Sequence, residues 1–224
     1  MRKMILSLLI VFLLSVTIVS AHQPRLVMNT SNSEQEPILV EDPEVSKAYY
    51  GELKGKPNYY KIVSDKSFSL YVNVLVPNIP VESQRRFSVE VKDSSAKVII
   101  FLDGTNSTWT AFYEPFGNDN YLQGPESRLN VSAGIYQIKV FNSGNLGKYS
   151  LAVGEIEAFP PTEILRSLYS VPLLQVEFFN KPVYEAFNNV AGLPILVILL
   201  TIIVVAYSVY RFSKKRMKRI EKSR

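Results

Sequence analysis

Short runs in which apolar and polar residues alternate fill the middle of the chain, and two unbroken apolar stretches stand outside them. Phe68, Leu70, Val72, Val74 and Val76 alternate with Ser69, Tyr71, Asn73 and Leu75 until Pro77 stops the run. A period of two sends successive side chains to opposite faces, so this run is a strand with one face in a core. Phe87, Val89 and Val91 repeat the pattern, Asp93-Ser94-Ser95 turns the chain, and Val98, Ile100 and Leu102 bring it back as a hairpin. Further strands are predicted over residues 48–53, 59–63 and 109–113, with Asn118-Asp119-Asn120 as a loop. Tyr136, Ile138 and Val140 are expected to pair with Tyr149, Leu151 and Val153 through the turn at residues 142–147. About eight strands over residues 43–158 are enough for one all-β, two-sheet sandwich with its own core.

The apolar stretches place that sandwich. Residues 4–19 are almost wholly apolar, follow Arg2 and Lys3, and end in Val19-Ser20-Ala21, so residues 1–21 are expected to be a signal peptide cleaved after Ala21. Residues 191–210 carry no charge and are long enough to cross a hydrocarbon core of about 30 Å as one helix. The tail that follows, residues 211–224, has a net charge of +7, and such clusters stay in the cytoplasm. The expected protein is a single-pass protein of the cell membrane, N-terminus outside and C-terminus cytoplasmic, with the lipid bilayer as a partner.

Charge and composition then remove function classes. The overall +5 resides in the two ends, and residues 22–190 carry −4, so no nucleic-acid partner is expected. No cysteine is present, which leaves out disulfides and thiolate metal sites and favours a prokaryotic source. The single histidine, His22, would become the mature N-terminus, so no serine–histidine pair or multi-histidine metal site can form inside the domain. Hydrolysis by carboxylates alone stays open through Asp103, Glu114 and Asp119.

The run from Leu129 to Val140, with Ala133-Gly134-Ile135-Tyr136-Gln137-Ile138, followed by Gly147-Lys148-Tyr149-Ser150-Leu151-Ala152-Val153, resembles the closing strands of bacterial pre-peptidase C-terminal domains. Tyr49-Tyr50-Gly51-Glu52-Leu53 and Tyr59-Tyr60-Lys61-Ile62 are similar to that family's opening strands. The resemblance covers residues 44–156 and implies a jelly-roll-like sandwich in which Gly134 frees a turn and Tyr136 fills the core. Members of that family are usually accessory or binding modules of secreted peptidases, some holding calcium in acidic loops. Here the corresponding loop, residues 117–120, offers Asp119 alone, whereas a hard cation takes about six to eight oxygens. No cofactor is expected, with calcium as the one candidate.

Aromatic residues crowd residues 109–121. Trp109 and Tyr113 share a face and are assigned to the core, while Phe112, Phe116, Asp119 and Tyr121 are the candidate ligand contacts. Asn29, Asn106 and Asn130 open N-x-[ST] sequons, of which Asn106 and Asn130 are the candidate glycosylation sites. Residues 22–42 read as a flexible leader, polar and poor in aromatics. In the membrane-proximal segment, residues 159–190, Ile164, Leu165 and Leu168 fall on one helical face behind a Thr162 cap. Residues 162–180 are too apolar for a solvated stalk, so they pack on the sandwich, lie in the headgroup layer, or meet a membrane or surface protein. The chain is therefore expected to be a non-catalytic cell-surface binding or assembly module; the alternative is an extracytoplasmic hydrolase, or a subunit of one.

Overall fold

The structure, a computed structural model, describes residues 22–78, 84–114, 117–189 and 192–222; the expected signal peptide lies outside these residues. Its strands are β1 (Gln23–Leu26), β2 (Ile38–Val40), β3 (Lys47–Lys54), β4 (Asn58–Ser64), β5 (Phe68–Pro77) and β6 (Ser88–Lys92), then β7 (Val98–Leu102), β8 (Thr110–Glu114), β9 (Asp119–Val131), β10 (Gly134–Phe141) and β11 (Leu146–Val153). They form two sheets, one of order β1-β3-β11-β5-β9-β8 and one of order β2-β4-β10-β6-β7. The alternation read from the sequence fills the space between them. Leu70, Val72, Val74 and Val76 of the first sheet are buried opposite Tyr60, Ile62, Val89, Val91, Ile138 and Val140 of the second.

The residues expected to form a β10–β11 hairpin are strands, but they do not pair. β10 lies between β4 and β6, while β11 lies between β3 and β5 in the other sheet. Both strands turn their apolar rows inward, so the rows face each other across the core instead of lying side by side. Asn142 makes the crossing: its amide donates to the Leu146 carbonyl (2.7 Å) and accepts from the Leu146 N–H (3.1 Å), in place of a strand partner. The core also holds hydroxyls, which must be bonded when buried. Tyr60 and Tyr149 share a hydrogen bond of 2.7 Å, and Asn58 donates to Tyr149 at 2.8 Å. Tyr149 lies opposite Gly51 in the β11–β3 register, and a Cβ at Gly51 would fall 2.5 Å from its ring.

Three further differences have local causes. β9 was hidden by Gly124-Pro125 and by its polar outer residues, yet it pairs with β5 almost throughout. The ladder shifts register between Asn73 and Leu75, opposite Gly124-Pro125, and β8 has ended by then, so the missing proline N–H costs nothing. The leader is not free chain: β1 adds in parallel to β3 and β2 to β4, extending one edge of each sheet. Gly134 has no positive φ, so it frees no turn. Tyr136 does fill the core, its hydroxyl donating to the Ser132 carbonyl (2.8 Å) and its ring meeting Phe68 edge-on at 5.8 Å.

The membrane-proximal segment forms helix α1 (Pro161–Leu173), a π turn (Leu174–Phe178) and a 3-10 turn (Val183–Phe187). Thr162 does not cap α1, whose N-cap is Pro160. The second helix, α2 (Gly192–Lys222), contains residues Leu196–Lys214, long and apolar enough to cross a membrane and not buried by the rest of the protein.

Truncating Tyr136 to alanine should lower stability by roughly 3–5 kcal/mol, against about 0.5 kcal/mol or less for the half-buried Gln137→Ala. Equal denaturant midpoints would remove Tyr136 from the core. In the same assay Gly51→Ala should destabilise strongly and Gly134→Ala little, because a Cβ at Gly134 meets nothing closer than 3.7 Å. Since β1 and β2 belong to the sheets, residues 22–189 should also melt well above residues 43–158.

Candidate functional site

Two of the candidate contacts, Asp119 and Tyr121, are occupied from within the chain. β8 and β9 meet at a turn containing Gly117 and Asn118, and Asp119, at the start of β9, is only 2% exposed. Lys181, from the segment after the π turn, reaches back to it: its ammonium lies 2.6 Å from Asp119 Oδ1 and 3.1 Å from the Asn118 carbonyl. Gln175 of the π turn donates to Asp119 Oδ2 at 3.0 Å. Burial raises the Asp119 carboxyl above its ordinary value, with the Lys181 charge and the two hydrogen bonds pulling the other way. The cation in this loop is thus the protein's own ammonium, and the described residues contain no group of three or more His, Cys, Asp or Glu placed to hold a metal.

Tyr121 is buried as well. It packs with Leu174 and Phe178 on the outer face of the six-stranded sheet, its ring 5.5 Å from Phe179 and its hydroxyl bonded to Tyr50. Phe178 meets Tyr50 edge-on at 5.0 Å. Asp119 and Tyr121, expected to touch a ligand, instead receive the membrane-proximal segment. Phe112 lies at the rim, partly exposed and 6.5 Å from Tyr121, and Phe116 lies outside the described residues. Trp109 packs on the core and donates to the Gly104 carbonyl (2.8 Å), but its strand-mate Tyr113, assigned to the same core, is 53% exposed. Its strand, β8, is the edge of the six-stranded sheet.

Two more residues complete the dock. Lys148 of β11 donates to the Glu177 and Phe178 carbonyls, at 2.7 and 3.0 Å, closing the end of the π turn with a positive charge. Asn189 bridges the turn to α2. Its amide donates to the Gly117 carbonyl (3.2 Å), and its Oδ1 accepts from the Gly192 N–H (2.6 Å) at the start of α2. Gly192 is a place for glycine, since a Cβ there would lie 1.6 Å from the Ala186 carbonyl oxygen. Sequence reasoning missed Lys181, Gln175, Lys148 and Asn189, because they are single polar residues without a motif. The only signal was the apolar excess around them.

A cavity of about 700 Å³ lies beside this dock, where the edges of the two sheets approach α1. Leu26, Ile38, Tyr49 and Leu173 give it apolar walls, Arg25 and Arg166 line its charged side, and the buried Ser170 hydroxyl has no partner among the described residues. Glu163 holds both arginines, at 2.8 and 3.0 Å. The other candidate acids are engaged in turns: Asp103 accepts from the Thr105 and Asn106 N–H groups, and Glu114 from the Gly117 N–H at 2.7 Å. His22 bonds to the Ser46 hydroxyl, and burial lowers its pKa. Asn106 and Asn130 are exposed, though the Asn106 amide donates to Asp103 at 2.6 Å.

No family model matches the chain, and no curated protein matches it. Among solved structures it is similar to the pre-peptidase C-terminal domain of collagenase from Bacillus anthracis, the kind of domain its closing strands resemble. The identity is 12% and the TM-score 0.34, over 55% of this chain and 98% of that one. It is also similar to parts of two glycoside-degrading enzymes. A β-glucosidase from Kluyveromyces marxianus gives 14% identity and a TM-score of 0.27, over 52% of this chain and 12% of the enzyme. The catalytic domain of a GH87 α-1,3-glucanase gives 11% and 0.27, over 49% of this chain and 22% of that domain.

The raised Asp119 pKa fixes the sign of a pH effect. A group whose folded pKa exceeds its unfolded value contributes stability that is complete below the unfolded value and lost as pH climbs through the folded one. Wild type should therefore lose stability relative to Asp119→Asn as pH rises from the ordinary carboxyl value of 3.8. The readout is the difference in denaturant midpoint at each pH; a difference that moves the other way would mean that the ion pair outweighs burial. Lys181→Ala should cost about 1–3 kcal/mol at neutral pH, at the modest end for an ion pair because Lys181 stays one-third exposed.

Proposed function

We propose that this chain is a non-catalytic binding or assembly module, held on the outer face of the cell membrane by the single helix α2, with the basic tail in the cytoplasm. The observation that carries the reading is the dock. From Pro161 to Asn189 the chain is hydrogen-bonded and packed onto the sandwich, and Asn189 bonds in turn to Gly192, the first residue of the apolar helix. A sandwich tied down in this way is presented to its surroundings in a fixed attitude, which suits assembly or capture at a surface.

Charge and exposure support the topology. The tail of net +7 follows the apolar helix directly, and the exposed sequons at Asn106 and Asn130 would lie on the external side. The binding part of the reading rests on the cavity beside β1, β2 and α1, whose volume is in the range of small-ligand sites. A hydrolase using carboxylates alone is less well supported, because Asp103, Glu114 and Asp119 each hold a turn or an ion pair. No cofactor is part of the proposal.

Protease added to intact spheroplasts should digest the exported domain after mild heating and leave an epitope on the tail protected until the membrane is dissolved. A digested tail beside a protected sandwich would invert the orientation.

A further inference from the structure

Helix α1 is amphipathic in the wrong sense for a helix that packs on a domain in water. At 3.6 residues per turn, Ile164, Leu165, Leu168, Tyr169 and Pro172 fall on one side; Leu168 packs against Val171 and Ala186, while Ile164, Leu165 and Tyr169 are turned to the outside. Ile164 is 43%, Leu165 66% and Tyr169 73% exposed. The residues α1 buries include Glu163 and Ser170, with Glu163 fixed by Arg25 and Arg166. A soluble helix puts its apolar stripe on the core and its charges in solvent. Here the charges are satisfied against the protein, and Ile164, Leu165 and Tyr169 of the apolar arc have no cover among the described residues. Just beyond α1 the same inversion continues at Val176, 43% exposed.

We infer that this arc lies in the headgroup layer of the bilayer that α2 crosses, so that the sandwich rests on the membrane along α1. The inference rests on the membrane-anchored reading above and names the surface through which the exported domain meets the lipid. Proximity is the first argument. Val171 of α1 packs with Ala186 of the 3-10 turn, and the Ala186 carbonyl lies directly against Gly192, the first residue of α2. One layer of side chains thus separates α1 from the start of the span. Chemistry is the second. The free arc carries no charge that would have to be desolvated, and its largest exposed member is a tyrosine, as is the exposed Tyr184 of the adjacent turn. Tyrosine concentrates where one end of a side chain is apolar and the other wet. A helix with an apolar face of this kind binds in the plane of the interface.

Because the chain has no cysteine, single cysteines can carry spin labels without background. The full chain is reconstituted into vesicles of phosphatidylcholine and phosphatidylglycerol. Labels go at Leu165→Cys and Tyr169→Cys, at Ile203→Cys in α2, and at Ser94→Cys in the exposed β6–β7 turn. Collision with oxygen, which partitions into lipid, is compared with collision with a water-soluble nickel chelate. The labels at 165 and 169 should show nickel access several-fold below that at 94, with oxygen access raised, and lie between the values for 94 and 203. If 165 and 169 read as aqueous while 203 reads as lipid, the inference fails and the anchor stands. If 203 reads as aqueous, the anchored reading fails with it. Low access to both reagents at 165 and 169, with spin–spin broadening that disappears on dilution with unlabelled chain, would show a second copy on the arc and overturn the inference.

Discussion

Asp119 is a carboxylate at the start of a strand, almost fully removed from water, and an ion in that position is tolerable only with a partner. The partner is Lys181, 62 residues later in the chain, and the need to bring that ammonium to the β8–β9 turn fixes the path of the segment between the sandwich and α2. With Lys181 in place, Gln175 reaches the other carboxylate oxygen, and Phe178 and Phe179 lie over Tyr50 and Tyr121. Asn189 then joins the same turn to the first residue of α2. Removing the Lys181 charge would leave the buried Asp119 carboxylate without its partner, so the dock is held as a unit.

The dock makes the two sheets unlike each other. Around β11 and β5 the six-stranded sheet is covered on both faces, which is why Tyr149 to Val153 of β11 are all buried and why Leu75, an outward residue of β5, packs into a second small core. A strand buried on both faces reads as a continuous run, as β11 does. The five-stranded sheet keeps one open face, where Val63, Phe101 and Ile135 are exposed beside lysines. The two inner rows nevertheless fit one core, because the crossing at Asn142 puts β10 and β11 in opposite sheets with their apolar rows facing.

The segment that forms the dock also shows why a hydrophobic stripe alone does not say what it touches. Ile164, Leu165 and Leu168 share a face, as their spacing requires, but of these only Leu168 packs, against Val171 and Ala186, and the helix is otherwise held through Glu163 and Ser170. The arginines that make Glu163 suitable for burial come from the leader and from α1 itself. The leader is in turn fixed because its polar Gln23 reaches the Ala158 carbonyl (2.6 Å) and β1 completes an edge. Neither segment orders the other through apolar contacts legible one residue at a time.

What the sequence determined by itself was the set of local periods: the alternating runs became strands, the all-β class followed, and the uncharged run before the basic tail became the long unburied helix. Alternation is a property of a single strand, since it depends only on which face each side chain takes. The tertiary structure decided which strands are neighbours. Tyr136 to Val140 and Tyr149 to Val153 carry the same signal whether they pair in one sheet or face each other across two, and only the remaining strands settle it. The candidate site was decided in the same way. Asp119 and Tyr121 read as loop residues able to meet a ligand, and their burial depends on Lys181 and Phe178, more than 50 residues distant, where a single charge and a single ring carry no local pattern.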